Sequence, residues 1–271
     1  MPKIEANGIN LYYEIHGSGQ PLVLIAGLGY DHWMWHKMVP GLAEQVQVIV
    51  FDNRGVGQSD KPPGPYDALM LADDTAGLLE ALGIEQAVVM GHSMGGFVAQ
   101  ALVLDRPEVV QKLILSATNF GGPRHIPVTS EALAVLTDMT GDPLDRLRRG
   151  IEVSTAPGFA QAHPEIVEEW LQYRTEHPID LHGYQAQLAI GMALMAEDAC
   201  FERHLKDVHV PVLILHGQHD KVVPPGNARL LEHQCPDATV EILPNAGHFF
   251  PFETPERAVK IVLDFVQGRL V

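Results

Sequence analysis

The sequence predicts an α/β fold in which helices cover both faces of a mostly parallel sheet, with a helical cap inserted into it. Short apolar runs alternate with amphipathic segments up to Thr118, which is typical of a parallel sheet covered on both faces. The alternation resumes near Val210, and the stretch between carries mainly helical patterns that proline and glycine interrupt. We therefore expect a core domain formed by residues 1–118 and 210–271, and a cap formed by residues 119–209.

Each strand is predicted from a short apolar or alternating run that turn residues bound. The predicted strands are 9–15, taken as an edge strand, then 21–25, 46–51, 87–90, 112–115, 212–215 and 239–243. The helices are predicted from amphipathic stretches, and Gly83 is typical of a helix C-terminus. The predicted helices are 32–45, 68–82 and 96–105 in the core, and 129–138, 143–153, 164–174 and 182–196 in the cap.

The composition is that of a globular protein and argues against several kinds of partner. Of the 271 residues, 46% are hydrophobic and 19% are charged, and the formal net charge is −16. This acidic balance argues against binding to nucleic acid or to an anionic membrane, because both attract basic patches. The first residues lack the apolar segment of a signal peptide, and no apolar run reaches membrane-spanning length. We expect a cytoplasmic protein whose two cysteines, Cys200 and Cys235, are reduced thiols.

Ser93 lies in the sequence Gly-His-Ser-Met-Gly at 91–95, between a predicted strand and a predicted helix. In that setting G-x-S-x-G forms a tight turn that presents the serine hydroxyl at the carboxyl end of the strand. A side chain at either flanking glycine would clash in such a turn. Because a serine hydroxyl is a weak nucleophile at neutral pH, it needs a base to remove its proton.

Two later strand ends supply a base and an acid to orient it. Asp220 follows the predicted strand 212–215, and His248 follows the strand 239–243. His248 would take the Ser93 proton and later return it to the leaving group, while Asp220 would hold the imidazole in the correct tautomer. The backbone N–H groups of Leu28 and Met94 are the predicted oxyanion hole.

With these motifs the chain resembles the α/β-hydrolase family, in its branch of esterases, enol-lactonases and cofactor-free perhydrolases. The chain order Ser93, Asp220, His248 is the order of that family. The loop 51–60 matches its D-x-R-G-x-G-x-S pattern, and 247–253 followed by Pro255 matches its histidine loop. The resemblance implies an eight-stranded sheet. Many relatives carry histidine where this chain has Ala26, and we expect that difference to alter substrate preference.

Other polar residues receive structural interpretations. Asp52, Arg54 and Asp60 are predicted to fix their loop through a salt bridge. His32 with His36, and His216 with His219, lack the carboxylate or cysteine neighbours of a good metal site, so no metal is predicted. Six side chains are predicted to line the substrate pocket: Trp33, Met139, Leu188, Met192, Met195 and Phe249.

The sequence therefore favours a cofactor-independent hydrolase of small to medium, largely apolar carboxylic esters or lactones, acting through an acyl-serine intermediate. Its predicted partner is a small-molecule substrate, with no nucleic acid or membrane partner. Two alternatives stay open. The same triad serves C–C bond hydrolases, perhydrolases and hydroxynitrile lyases, and a ligand receptor could retain this fold without catalysis.

Overall fold

The computed structural model describes residues 2–138 and 140–270, and an eight-stranded sheet organises them. Its spatial order is β1-β2-β4-β3-β5-β6-β7-β8. The first two strands run antiparallel to their neighbours, and β3 to β8 run parallel. The strands are β1 Lys3–Ala6, β2 Ile9–His16, β3 Pro21–Ile25, β4 Gln47–Phe51, β5 Ala87–His92, β6 Val110–Ser116, β7 Val212–Gly217 and β8 Ala238–Leu243. The predicted fold class is thus confirmed.

The predicted edge strand is not at the edge. Strand β2 pairs with β4 on one side and with β1 on the other. Asn7 and Gly8 connect β1 to β2 with φ angles of 48° and 74°. Positive φ at both positions is what a two-residue hairpin turn requires, and Asn-Gly is the preferred sequence for it. The short strand before this turn was missing from the prediction.

The helices of the core cover both faces of the sheet, as predicted. Alternate residues of each parallel strand point to opposite faces, so Val23 belongs to one apolar cluster and Leu22 to the other. The core helices are α1 Val39–Ala43, α2 Ala68–Ala81, α3 Met94–Asp105, α9 Gly226–Gln234, α10 Phe250–Glu253 and α11 Pro255–Val266. Helices α2, α3 and α9 pack on one face, and α1 and α11 on the other.

The single helix predicted over 32–45 is wrong. A 3-10 helix spans His32–Trp35, and the separate α1 begins at Val39. Pro40 lies in the first turn of α1, where its missing N–H costs nothing, but it could not sit in the interior of one continuous helix.

The chain between β6 and β7 forms a series of helices, as the prediction had it. They are α4 Ser130–Thr137, α5 Pro143–Ser154, α6 Phe159–Ala162, α7 Pro164–Glu176 and α8 Leu181–Ala193. The side chains of Thr129, Asp142 and Asp180 accept backbone hydrogen bonds at the N-termini of α4, α5 and α8. In the described part of the chain, no helix has the length and apolar character needed to cross a lipid bilayer.

Candidate active site

Ser93 forms a strained turn between β5 and α3. Its backbone angles are φ 55° and ψ −118°, and a positive φ is uncommon for a residue with a side chain. A Cβ atom on Gly91 would come within 2.1 Å of the Gly95 carbonyl oxygen, and one on Gly95 within 2.3 Å of the Ile25 oxygen. Only glycine therefore fits at either flank, as predicted. The neighbours of Ser93 are buried, whereas Ser93 itself is partly exposed.

Asp220 and His248 meet because β7 and β8 pair in parallel, with Gly217 opposite Leu243. The loops after these strands then leave the same edge of the sheet. The His248 Nδ1 atom donates to Asp220 Oδ2 at 2.8 Å, and both side chains are buried. The other carboxylate oxygen, Oδ1, accepts the backbone N–H groups of Val222 and Val223 at 2.8 Å each. This arrangement directs Nε2 of the imidazole away from the aspartate.

The loop that carries His248 is fixed from two sides. The His248 N–H donates to the Ser154 carbonyl at 2.7 Å, and a Cβ on Gly247 would lie 2.6 Å from that same oxygen. The Glu253 carboxylate accepts the N–H of Gly247 at 3.0 Å and that of Ala156 at 2.6 Å. Burial raises the pKa of Glu253 to about 7.

The two candidate oxyanion donors come from neighbouring strand ends. Met94 is the first residue of α3, and the first N–H groups of a helix have no intrahelical acceptor. Leu28 follows β3, whose Ile25 pairs with Gly91 of β5. Strand pairing therefore brings the Leu28 loop beside Ser93.

Two side chains from the inserted helices bind the peptide groups next to Leu28. The Gly29 N–H donates to Gln187 Oε1 at 2.9 Å, and the Gly29 carbonyl accepts from Arg174 at 3.2 Å. The Gln187 Nε2 group in turn donates to the Arg54 carbonyl at 2.9 Å. Gly29 has φ 72°, and a Cβ there would meet Tyr184 at 2.8 Å. Tertiary contacts thus determine the shape of this loop.

The imidazoles beside His248 are uncharged at neutral pH. The His92 ring lies 4.9 Å from the His248 ring, and its Nδ1 is 2.9 Å from Ser116 Oγ. Burial holds the pKa of His92 well below its usual value and lowers that of His216 to about 4. Neither ring then competes with His248 as a cation beside the Asp220 carboxylate.

Ser93 and His248 open into one apolar cavity of about 320 Å³. Core residues form one wall, and residues of α4, α5 and α8 form the other. Among its lining side chains are Tyr30, Met34, Leu147, Ile151, Tyr184 and Phe249.

A second, smaller cavity of about 150 Å³ also contains Ser93 and Leu28. Its other lining residues include Met94, Phe97, Thr118, Leu188, Gly191 and Val223. Ser93 therefore lies between two cavities of unequal size.

The predicted pocket residues fall in different places. Phe249 lines the larger cavity and Leu188 the smaller one. Met192 and Met195 are exposed and line neither of the two. Trp33 also lies outside both, because its ring stacks on Tyr173 at 4.2 Å. Met139 lies outside the described residues.

Sequence reasoning missed Gln187, Arg174 and most side chains of the larger cavity. The available signal for Gln187 was its position within the apolar stretch of α8, because a polar side chain that is buried among apolar ones is usually hydrogen bonded.

The loop 51–60 is held by other pairs than the sequence suggested. Arg54 forms a buried ion pair with Asp74 of α2, and Asp60 accepts two hydrogen bonds from Asn10. Arg54 therefore does form a salt bridge that fixes the loop, but its partner is Asp74 and neither Asp52 nor Asp60 takes part in it.

Among the described residues, Asp31, His32 and Asp52 each place one potential metal-ligand atom within 4.8 Å of the others. Asp52 already accepts hydrogen bonds from the His32 ring and from the backbone of His32 and Gln58. Asp31 caps the 3-10 helix by accepting the Trp33 N–H. These hydrogen bonds hold the loops together, and that structural role accounts for the clustering of the three side chains.

The sequence profile described as "Alpha/beta hydrolase family" matches residues 22–261. The chain belongs to this family. The resemblance of the sequence to α/β-hydrolases is thereby confirmed, and the protein is a hydrolase with a small-molecule substrate.

Proteins similar to this chain have names that describe different reactions. The chain is 33% identical to BpoC of Mycobacterium tuberculosis, a provisional non-heme bromoperoxidase, over 95% of this chain and 97% of that protein. It is 29% identical to RutD of Azorhizobium caulinodans, a provisional carbamate hydrolase, over 98% of each. Among solved structures, a thermophilic esterase from Thermogutta terrifontis matches with a TM-score of 0.80, 28% identity and 100% of each chain covered.

Proposed function

We propose that this protein is a serine hydrolase that cleaves small to medium, largely apolar carboxylic esters or lactones. The observation that carries the proposal is that His248, hydrogen bonded to buried Asp220 at 2.8 Å, lines the same cavity as Ser93 on its strained turn. Most of the lining of that cavity is apolar, which favours largely apolar substrates. The similarity to the Thermogutta terrifontis esterase supports the same class.

In the proposed mechanism, His248 takes the Ser93 proton as the hydroxyl attacks the carbonyl carbon. The N–H groups of Leu28 and Met94 stabilise the oxygen that becomes negative. His248 then returns the proton to the alcohol oxygen as the ester bond breaks, which leaves an acyl group on Ser93. Water activated by His248 releases the acid and restores the hydroxyl. None of these reaction steps uses a cofactor.

We also propose that residues 119–209 act as a cap over the core formed by 1–118 and 210–271. Ile151, Tyr184 and the other inserted side chains of the larger cavity would exclude water from its apolar wall. They would also set the shape of the bound substrate.

The test is hydrolysis of p-nitrophenyl acetate and butyrate together with labelling by a fluorophosphonate probe. Ser93→Ala should lose about 10⁴-fold or more in kcat and should not be labelled. Ser130→Ala, a matched change at an exposed serine, should keep both properties. A Ser93→Ala enzyme that still turns over ester would refute the assignment of the nucleophile. Tight binding of a small molecule without any labelling would instead favour a receptor.

Similarity to BpoC favours perhydrolysis as a second candidate. Hydrogen peroxide would replace water in the attack on acyl-Ser93, which yields a peracid and the free serine. The peracid would then oxidise bromide and become the carboxylic acid. Bromination of phenol red in acetate, bromide and hydrogen peroxide tests this activity, with Ser93→Ala as the inactive control.

A further inference from the structure

The two cavities at Ser93 differ in size and in which proposed catalytic group each contains. The larger, of about 320 Å³, is lined by His248. The smaller, of about 150 Å³, is lined by Met94. Ser93 and Leu28 line both, so they mark the junction.

Chemistry then decides which half of an ester enters which cavity. The tetrahedral carbon carries the Ser93 oxygen, the oxyanion, the leaving oxygen and the acyl carbon. The leaving oxygen must lie within reach of the imidazole that protonates it. Since His248 lines the larger cavity, the alcohol half belongs there. The acyl chain then extends to the other side of the junction, past Met94.

We propose that the enzyme is selective for esters of a short acyl group with a larger apolar alcohol. This inference rests on the proposed function and specifies its substrate class. The smaller cavity has less than half the volume of the larger one, so it has room for a short acyl chain only.

The chain offers a glycine in each cavity at which a side chain can be added. Gly191 lies in α8 and lines the smaller cavity, and an added Cβ meets nothing within 4 Å. Gly150 lies in α5 and lines the larger cavity, and its Cβ would meet only Leu136 at an ordinary 3.8 Å. Both are helical, so replacing glycine also favours the helix by about 1 kcal/mol. Both variants should therefore fold.

The experiment measures kcat/KM for two series of esters. One series keeps the p-nitrophenol leaving group and lengthens the acyl chain from acetate to octanoate. The other keeps the acetyl group and enlarges the alcohol from methyl to naphthyl. The wild type should prefer short acyl chains and large alcohols, with at least a tenfold loss from butyrate to octanoate.

Gly191→Leu should reduce kcat/KM for butyrate at least tenfold relative to acetate, with the alcohol dependence unchanged. Gly150→Leu should reduce kcat/KM for naphthyl acetate at least tenfold relative to methyl acetate, with the dependence on acyl chain length unchanged. Each variant is the control for the other. Thermal unfolding of both verifies that they are folded.

An exchanged pattern, in which Gly191→Leu alters alcohol preference and Gly150→Leu alters acyl preference, would overturn the assignment while leaving ester hydrolysis standing. Equal effects of both variants on both series would show one undivided site and would also overturn it. Failure of the wild type to hydrolyse any ester, with no fluorophosphonate labelling of Ser93, would overturn the proposed function and this inference with it.

Discussion

Replacing Gln187 with methionine isolates the contribution of the inserted helices to the oxyanion loop. Gln187 is fully buried, and its amide joins the Gly29 N–H to the Arg54 carbonyl by two hydrogen bonds of 2.9 Å. Methionine has a similar length but offers neither a strong donor nor a strong acceptor. Gln187→Met therefore leaves two buried backbone groups without partners while preserving most of the packing.

The expected cost follows from those two groups. Each unsatisfied buried group costs about 1–3 kcal/mol, so the free energy of unfolding should fall by about 2–6 kcal/mol. For a chain of this size, that lowers the melting temperature by at least about 4 °C. Because Gly29 follows Leu28 directly, the Leu28 N–H should also no longer point at the position of the oxyanion. Loss of one oxyanion donor reduces kcat about 100- to 1000-fold.

The assay pairs thermal unfolding with kcat on p-nitrophenyl acetate. Gln185→Met is the matched control, because Gln185 lies on the same helix with an exposed side chain. It should behave as the wild type. If Gln187→Met kept both the melting temperature and the kcat of Gln185→Met, the contact with Gly29 would have no part in shaping the oxyanion loop.

Three further predictions concern the proposed acid, the buried ion pair and pH. Asp220→Asn should retain the fold but lose about 10⁴-fold in kcat, because an amide supports the wrong histidine tautomer; a loss below tenfold would contradict its role. Asp74→Ala should lower the free energy of unfolding by about 3–5 kcal/mol in urea titrations, because it leaves the Arg54 guanidinium buried and unpaired. The change Arg54→Met added to Asp74→Ala should recover part of that loss, and further destabilisation would count against this explanation. Burial raises the pKa of Glu253 from 4.5 to about 7, so its protonation stabilises the folded state fully below pH 4.5, and that stability is lost as the pH rises through 7. Between pH 5 and pH 8 the wild type should therefore lose stability relative to Glu253→Gln, measured as the difference in their free energies of unfolding. A difference that stays constant over this range would show that Glu253 does not titrate there.

The sequence alone determined the features that depend on neighbouring residues. The turn at Ser93 follows from two glycines around a serine between a strand and a helix, because those five positions fix the backbone locally. The parallel sheet followed from alternating apolar runs. The order of Ser93, Asp220 and His248 also stood in the chain, together with the strand ends that carry them.

The tertiary structure decided everything that depends on residues distant in sequence. The 2.8 Å contact between Asp220 and His248 needs the β7–β8 register, and the Gly29 peptide needs Gln187 from 158 positions along the chain. Trp33 and Met192 were predicted to face the substrate, but periodicity cannot distinguish a side chain directed into a cavity from one stacked on a neighbour or exposed to solvent. Helix packing sets that direction, and with it the two unequal cavities on either side of Ser93.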